Sequence, residues 1–235
     1  MTATINRTRS WMDVSTALFI AAADQLTDAE LAMSTRLPGW TRRHVLAHVG
    51  LNATALGRLV HWASTGQPTP MYTSTDQRAR DIAETAAWPA GRLRALVTQT
   101  AAELAAGLDR LPLSRWAAEV VTAQGRSVPA SEIPWMRARE AAVHAVDLAA
   151  GTDFEDLPDD LCAALVTDVV RLRSRRGQDQ ALRLRSGDRS WLVAGTGQPA
   201  RIDAPPGALA RWLTGRGSAG LTVTGGKLPL LSPWL

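Results

Sequence analysis

Through most of the first 175 residues, apolar side chains recur at spacings of three and four, the signature of amphipathic helices. From about Ser10 to Met33 they are Trp11, Val14, Leu18, Ala21, Ala22 and Leu26. LPGW (37–40) interrupts the pattern, and Thr41 is a fitting N-cap for a second helix. That helix carries Val45, Leu46, Val49, Leu56, Leu59 and Val60 and ends near Gly66, Pro68 and Pro70. A third stripe of Leu93, Leu96, Val97, Leu104 and Leu108 predicts a helix over about 89–111. VVTAQGRSVPA (120–130) reads as a strand or loop pair around a Gly-Arg turn. Two further helices are expected over about 131–150 and 158–175.

After Gly177 the period shortens to two. ALRLRS, SWLVAG and ARIDA alternate as half-buried strands do, with Ser-Gly-Asp-Arg as a hairpin turn between the first pair. PPGALARWLTG has the proline start and glycine end of a short helix, and LTVTG is one more strand. The expected fold class is α+β: a helix bundle over 1–176, then a small α+β C-terminal domain over 177–235.

Composition narrows the function classes. With 235 residues, 46% apolar and 20% charged, the chain matches a soluble globular protein that folds without staples. The single cysteine, Cys162, excludes an intramolecular disulfide framework and a cysteine-built zinc site. No run of 18 apolar residues predicts a membrane span, and MTATINRTRSW lacks a signal-peptide core, so a cytoplasmic location is expected. The net charge of +4 is modest but locally concentrated. Arg171, Arg173, Arg175, Arg176, Arg183, Arg185 and Arg189 face only Asp179 and Asp188 in that window. Without interleaved aromatics, this reads as a solvated helix end and strand face rather than a nucleic-acid patch.

The chemistry lies on two helices. Glu140 and His144 are four apart, about 40° apart in projection, and Arg137 and Asp147 extend the same polar stripe along an otherwise apolar helix. On the second helix His44, His48 and Asn52 share one face, while His61 points the other way. If the two stripes face each other, two histidines and a carboxylate converge, the ligand set of a catalytic zinc with an open position. Spacing alone leaves the alternative open: an exposed Glu-His pair and a satisfied core histidine. Cys162, between Leu161 and Ala163, reads as a buried inert thiol. Gly215-Arg216-Gly217 ends a helix and holds an arginine suited to a carboxylate.

Three stretches, LPGWTRRHVLAHVGLNA (37–53), TAQGRSVPASEIPWMRAREAAVHAVDL (122–148) and RWLTGRGSAG (211–220), resemble the mycothiol-dependent maleylpyruvate isomerases. That family joins a DinB-like four-helix bundle to a small C-terminal α/β domain. The resemblance implies zinc on His48, Glu140 and His144, mycothiol as the second cofactor, and Arg216 as an arginine needed for activity. His44 is matched in sequence but not as a ligand. The implied reaction, from aromatic catabolism, converts maleylpyruvate to fumarylpyruvate: a thiolate adds to the cis double bond, the bond rotates, and the thiolate leaves. Arg126, Arg137 and Asp147 are candidate contacts for mycothiol by stripe and turn position. The implied partners are a small dicarboxylate substrate and mycothiol, with no nucleic acid and no membrane, on a monomer. Other readings compatible with the bundle are a mycothiol S-transferase, an isomerase of another cis-enoyl acid, a water-activating zinc hydrolase, and a non-catalytic metal-stabilised binding bundle.

Overall fold

The computed structural model describes residues 2–234, whose contacts divide into two units, one ending at Thr152 and one beginning at Asp153. In the first, helices α1 (Thr2–Gln25), α3 (Arg42–Thr65), α5 (Ala90–Asp109) and α6 (Ile133–Asp147) form a four-helix bundle. Helix α1 packs on α6 and α5, and α3 packs on the same two helices from across the bundle. Short helices α2 (Asp28–Leu31) and α4 (Thr75–Ala86) and the antiparallel hairpin β1 (Glu119–Val121)–β2 (Ser127–Pro129) fill the connections. Phe19, Leu31, Leu46, Leu93 and Leu148 are among the core side chains closed to solvent.

Local chemistry explains the boundaries. Helix α2 starts on a capping box in which Thr27 and Glu30 satisfy each other's backbone N–H groups. Helix α3 starts at Thr41 as expected and ends on Gly66 in the left-handed region. Pro134 sits in the first turn of α6, where its missing N–H has no partner to lose.

The structure corrects three expectations. The buried face of α1 is Ile5, Met12 and Phe19, continued by Leu26, whereas Trp11 and Leu18 are half-buried and Val14 is exposed. The expected stripe coincides with the true one at Ala22 and Leu26 and lies beside it at Trp11, Val14 and Leu18, where apolar residues stand at helical spacing on both rows. Helix α4 was not expected, since only Ile82, Thr85 and Ala86 of its twelve residues are buried and the rest is polar apart from the exposed Ala79 and Ala83. Finally, α7 (Asp159–Arg176) belongs to the C-terminal unit, where it packs on α8 (Pro206–Leu213) and β4 (Arg189–Val193). The change of rhythm at Gly177 marks a switch from helix to strand inside that unit, not the 176/177 domain boundary it suggested.

The remaining strands are β3 (Gln180–Ser186), β5 (Thr196–Asp203) and β6 (Thr222–Thr224), in the sheet order β4-β3-β5-β6. β3 runs antiparallel to β4 and parallel to β5, and β5 runs antiparallel to β6. Leu182, Leu184, Val193 and Ile202 are its buried residues. Gly195, between β4 and β5, passes so close to the Asp179 carbonyl that a Cβ there would overlap it. Among the described residues no helix is long and apolar enough to cross a membrane.

Arg173 of α7 is closed to solvent and donates to Asp179 at 2.6 Å, to the Leu213 carbonyl at 2.7 Å and to the Ser232 carbonyl at 3.1 Å. Asp179 in turn accepts from the Ser232 N–H. Burial opposes ionisation of Asp179, but these donors outweigh it and hold the carboxyl below its ordinary value of 3.8. Replacing Arg173 with Met should cost on the order of 3–5 kcal/mol in chemical denaturation, because a buried carboxylate loses its cation. That difference should be full above pH 3.8 and shrink as pH falls through the lower folded value, where Asp179 protonates.

Candidate metal centre

Helices α3 and α6 pack against each other, and their polar stripes meet. His48 Nε2 lies 3.0 Å from Glu140 Oε2, and His144 Nε2 lies 3.6 Å from the same oxygen. The two imidazole rings are 4.9 Å apart and nearly perpendicular, at 87°. One potential ligand atom from each of the three residues falls within 4.8 Å of the others. A tetrahedral ion with bonds near 2.0–2.1 Å sets its ligand atoms roughly 3.3 Å apart, so the trio needs only small adjustments to hold one. His144 turns its other nitrogen, Nδ1, to Asp147 Oδ2 at 3.0 Å. A carboxylate behind a histidine in this way fixes the tautomer that leaves Nε2 free for a metal.

His48 is held from several sides. Trp40 meets its ring edge-on at 5.4 Å, and an Arg78 Nη2 donor sits 3.3 Å from His48 Nδ1. The Arg78 guanidinium also lies 5.5 Å from the Tyr72 ring. Arg78 was missed in the sequence because it sits on α4, which itself has too few apolar positions to be seen. Four residues further along α3, Asn52 accepts from Arg137, which also donates to the Val49 carbonyl.

Burial pushes the His48 pKa below the ordinary imidazole value; Glu140 opposes this, while His144 and Arg78 add to it. Burial would also lower His144, but hydrogen bonds to Asp147 and Glu140 prevail and raise it. Glu140 is driven well below the usual carboxylate value: the two histidines outweigh the penalty of burying its charge. The trio therefore presents an ionised carboxylate between two imidazoles, a borderline-soft and anionic set that suits a divalent transition ion.

The other candidates take varied places. His44 is turned to its own helix start, where the Thr41 N–H donates to its Nδ1 at 3.2 Å, and it stacks on Trp40. It thus serves as part of the N-cap and stands outside the trio. His61 is exposed on α3. Arg126 is exposed in the β1–β2 turn, Arg137 is buried one turn before Glu140, and Asp147 is buried behind His144. Cys162 is buried, its thiol near the Phe154 carbonyl and its pKa pushed by burial to about 12, which makes it inert at neutral pH. Of the seven arginines in the 171–189 window, all but Arg173 are exposed. In the C-terminal unit Gly215 and Gly217 adopt left-handed backbone, and the Arg216 N–H closes the end of α8 on the Arg211 carbonyl. The Arg216 side chain donates to the Thr214 carbonyl and lies 5.5 Å from the Trp234 ring.

Residues 13–149 match the family model described as the mycothiol maleylpyruvate isomerase N-terminal domain. A crystal structure of a mycothiol-dependent maleylpyruvate isomerase superposes with a TM-score of 0.92 at 34% identity, covering 98% of this chain and 97% of that one. A structure of that isomerase with one histidine replaced by alanine matches equally, at a TM-score of 0.92. No curated protein sequence matches the chain. With more than half of its length in the family model and nearly all of it in the shared fold, the chain belongs to the mycothiol maleylpyruvate isomerase family.

Proposed function

We propose that the protein is a zinc- and mycothiol-dependent cis–trans isomerase that converts maleylpyruvate to fumarylpyruvate. One observation carries this reading: His48, Glu140 and His144 meet on α3 and α6, with Asp147 behind His144, in a chain that shares its whole fold with such an isomerase. His48 and His144 would bind the ion through Nε2 and Glu140 through its carboxylate, and three protein ligands leave a position for the thiol. When bound, the metal holds a thiol as thiolate at neutral pH, and reversible thiolate addition removes the double-bond character that blocks rotation.

The chain's own residues bind and orient. Asp147 accepts the His144 Nδ1 proton and keeps the ring aimed at the ligand position. Trp40 meets the His48 ring edge-on and limits its rotation, whereas Arg78, which can only donate, would have to turn away from His48 Nδ1 when Nε2 binds an ion and the ring proton sits on Nδ1. Arg216 is proposed to hold a substrate carboxylate and the negative charge that develops on the conjugated carbonyl during addition. Arg126, exposed in its hairpin turn, is proposed to meet the polar sugar and inositol groups of the thiol. No base or nucleophile from the protein is required, in keeping with an inert Cys162.

The ultraviolet time course of maleylpyruvate with zinc-loaded protein should show turnover only when mycothiol is added. Turnover without thiol would end this reading, and bound zinc without turnover would favour a mycothiol S-transferase. His144→Ala should lose zinc in metal analysis, while Asp147→Asn should keep the ligands and weaken zinc affinity about 10–100-fold. Arg216→Ala should abolish turnover with zinc content unchanged, and loss of zinc as well would make Arg216 a structural residue.

A further inference from the structure

Arg137 and Arg173 are both among the largest fully buried side chains, and they are treated in opposite ways. Arg173 meets a carboxylate and several carbonyls. Arg137, 1% exposed, uses only Nη1, toward Val49 O at 2.7 Å and Asn52 Oδ1 at 3.3 Å. Its Nε and Nη2 are buried with no hydrogen-bond partner among the described residues. Those two nitrogens form one edge of the planar guanidinium, with parallel N–H bonds at the spacing of two carboxylate oxygens. A buried cation with that edge left open is costly unless an acceptor arrives.

The position is specific. Arg137 precedes Glu140 by one turn on the same face of α6, and its partner Asn52 follows His48 by one turn on α3. Glu140 adds a favourable charge nearby, yet its Oε2 is engaged with His48 and His144. The Glu140 side chain keeps 20% of its surface open, so the stripe is wet at the trio and dry at Arg137. An anion that reaches Arg137 from the trio meets a cation unscreened by water.

We infer that the Nε–Nη2 edge of Arg137 is the receptor for a substrate carboxylate, one helical turn from the metal trio. This rests on the isomerase reading for the identity of the substrate, and on the unpaired edge alone for its chemical class. Arg137 selects unsaturated acids that carry a free carboxylate over their amides and esters. The pairing is formed by substrate and not by the resting protein.

Calorimetric titration with maleate tests this without turnover, on zinc-loaded wild type, Arg137→Met and Arg137→Lys. Wild type should bind maleate, Arg137→Met should bind it about 10- to 100-fold more weakly, and Arg137→Lys should recover part of the loss. Neutral maleamide should bind weakly and equally to all three. A carboxylate taken up by the metal alone would not depend on residue 137. Without ligand, Arg137→Met should melt no lower than wild type, since it removes a buried charge with open donors. Equal maleate affinity in wild type and Arg137→Met overturns the proposal, as does wild type that binds no maleate at millimolar concentration. A lower melting temperature in Arg137→Met with unchanged maleate affinity makes Arg137 a structural tie between α3 and α6 and overturns it equally. Failure of the isomerase reading looks different: maleate binding stays dependent on Arg137 while maleylpyruvate is not turned over.

Discussion

An apolar helix bundle that carries a polar stripe inside it must satisfy that stripe from the facing helix, and this requirement fixes how α3 and α6 meet. The contacts run in antiparallel register along the pair. Arg42, at the start of α3, donates to the carbonyls of Leu148 and Ala149 at the end of α6. His48 then meets Glu140, and Asn52 with the Val49 carbonyl meets Arg137. A slip of one turn would strand ionised groups at each of these levels, so the cost of burying unpaired charge specifies the register more sharply than leucine packing does. The ligand trio is a product of that register.

The helices that bear the trio were legible because they are long and strongly periodic, and because four-residue spacings place His48 with Asn52 and Glu140 with His144. Facing stripes were conditional in the sequence and became fact only through packing. Other features carried little signal. Helix α4 buries too few apolar residues to show a period, so Arg78 and its approach to His48 were hidden with it. In α1 two apolar rows lie side by side, and periodicity cannot say which one the bundle covers. For α7, sequence pattern gives a helix but not its partner; its buried row of Leu161, Leu165 and Val169 serves the C-terminal unit. The cap role of His44 depended on a hydrogen bond to Thr41 that spacing allowed but did not require.

The two buried arginines separate stability from recognition. Arg173 is saturated by the chain itself: Asp179, the Leu213 carbonyl and the Ser232 tail fill its donors, and the result is a closed structural knot. Arg137 has the same burial and lacks that saturation. A folded protein with a stability of roughly 5–15 kcal/mol tolerates few such open groups. One that persists beside a ligand trio, while its equivalent elsewhere in the molecule is fully paired, is explained by a partner that is not part of the chain.

The chemistry of the proposed reaction places one more constraint on the site. A double bond conjugated to carbonyl groups rotates freely once a nucleophile has added to it, and in the proposed route the nucleophile must leave again unchanged. A protein thiol could do this, but the single cysteine is buried and held protonated by burial. In the proposed site the trio's histidines and Glu140 would be taken up by the metal, and Asp147 accepts from His144 Nδ1. Under the proposed mechanism no side chain of the trio would be left to add to carbon, whereas a metal held there would lower the pKa of a thiol brought to it. In the proposed reaction a diffusible thiol fills that role: the chain would supply the charged stripe, open to solvent at Glu140 and closed at Arg137, and the nucleophile would come and go with each turnover.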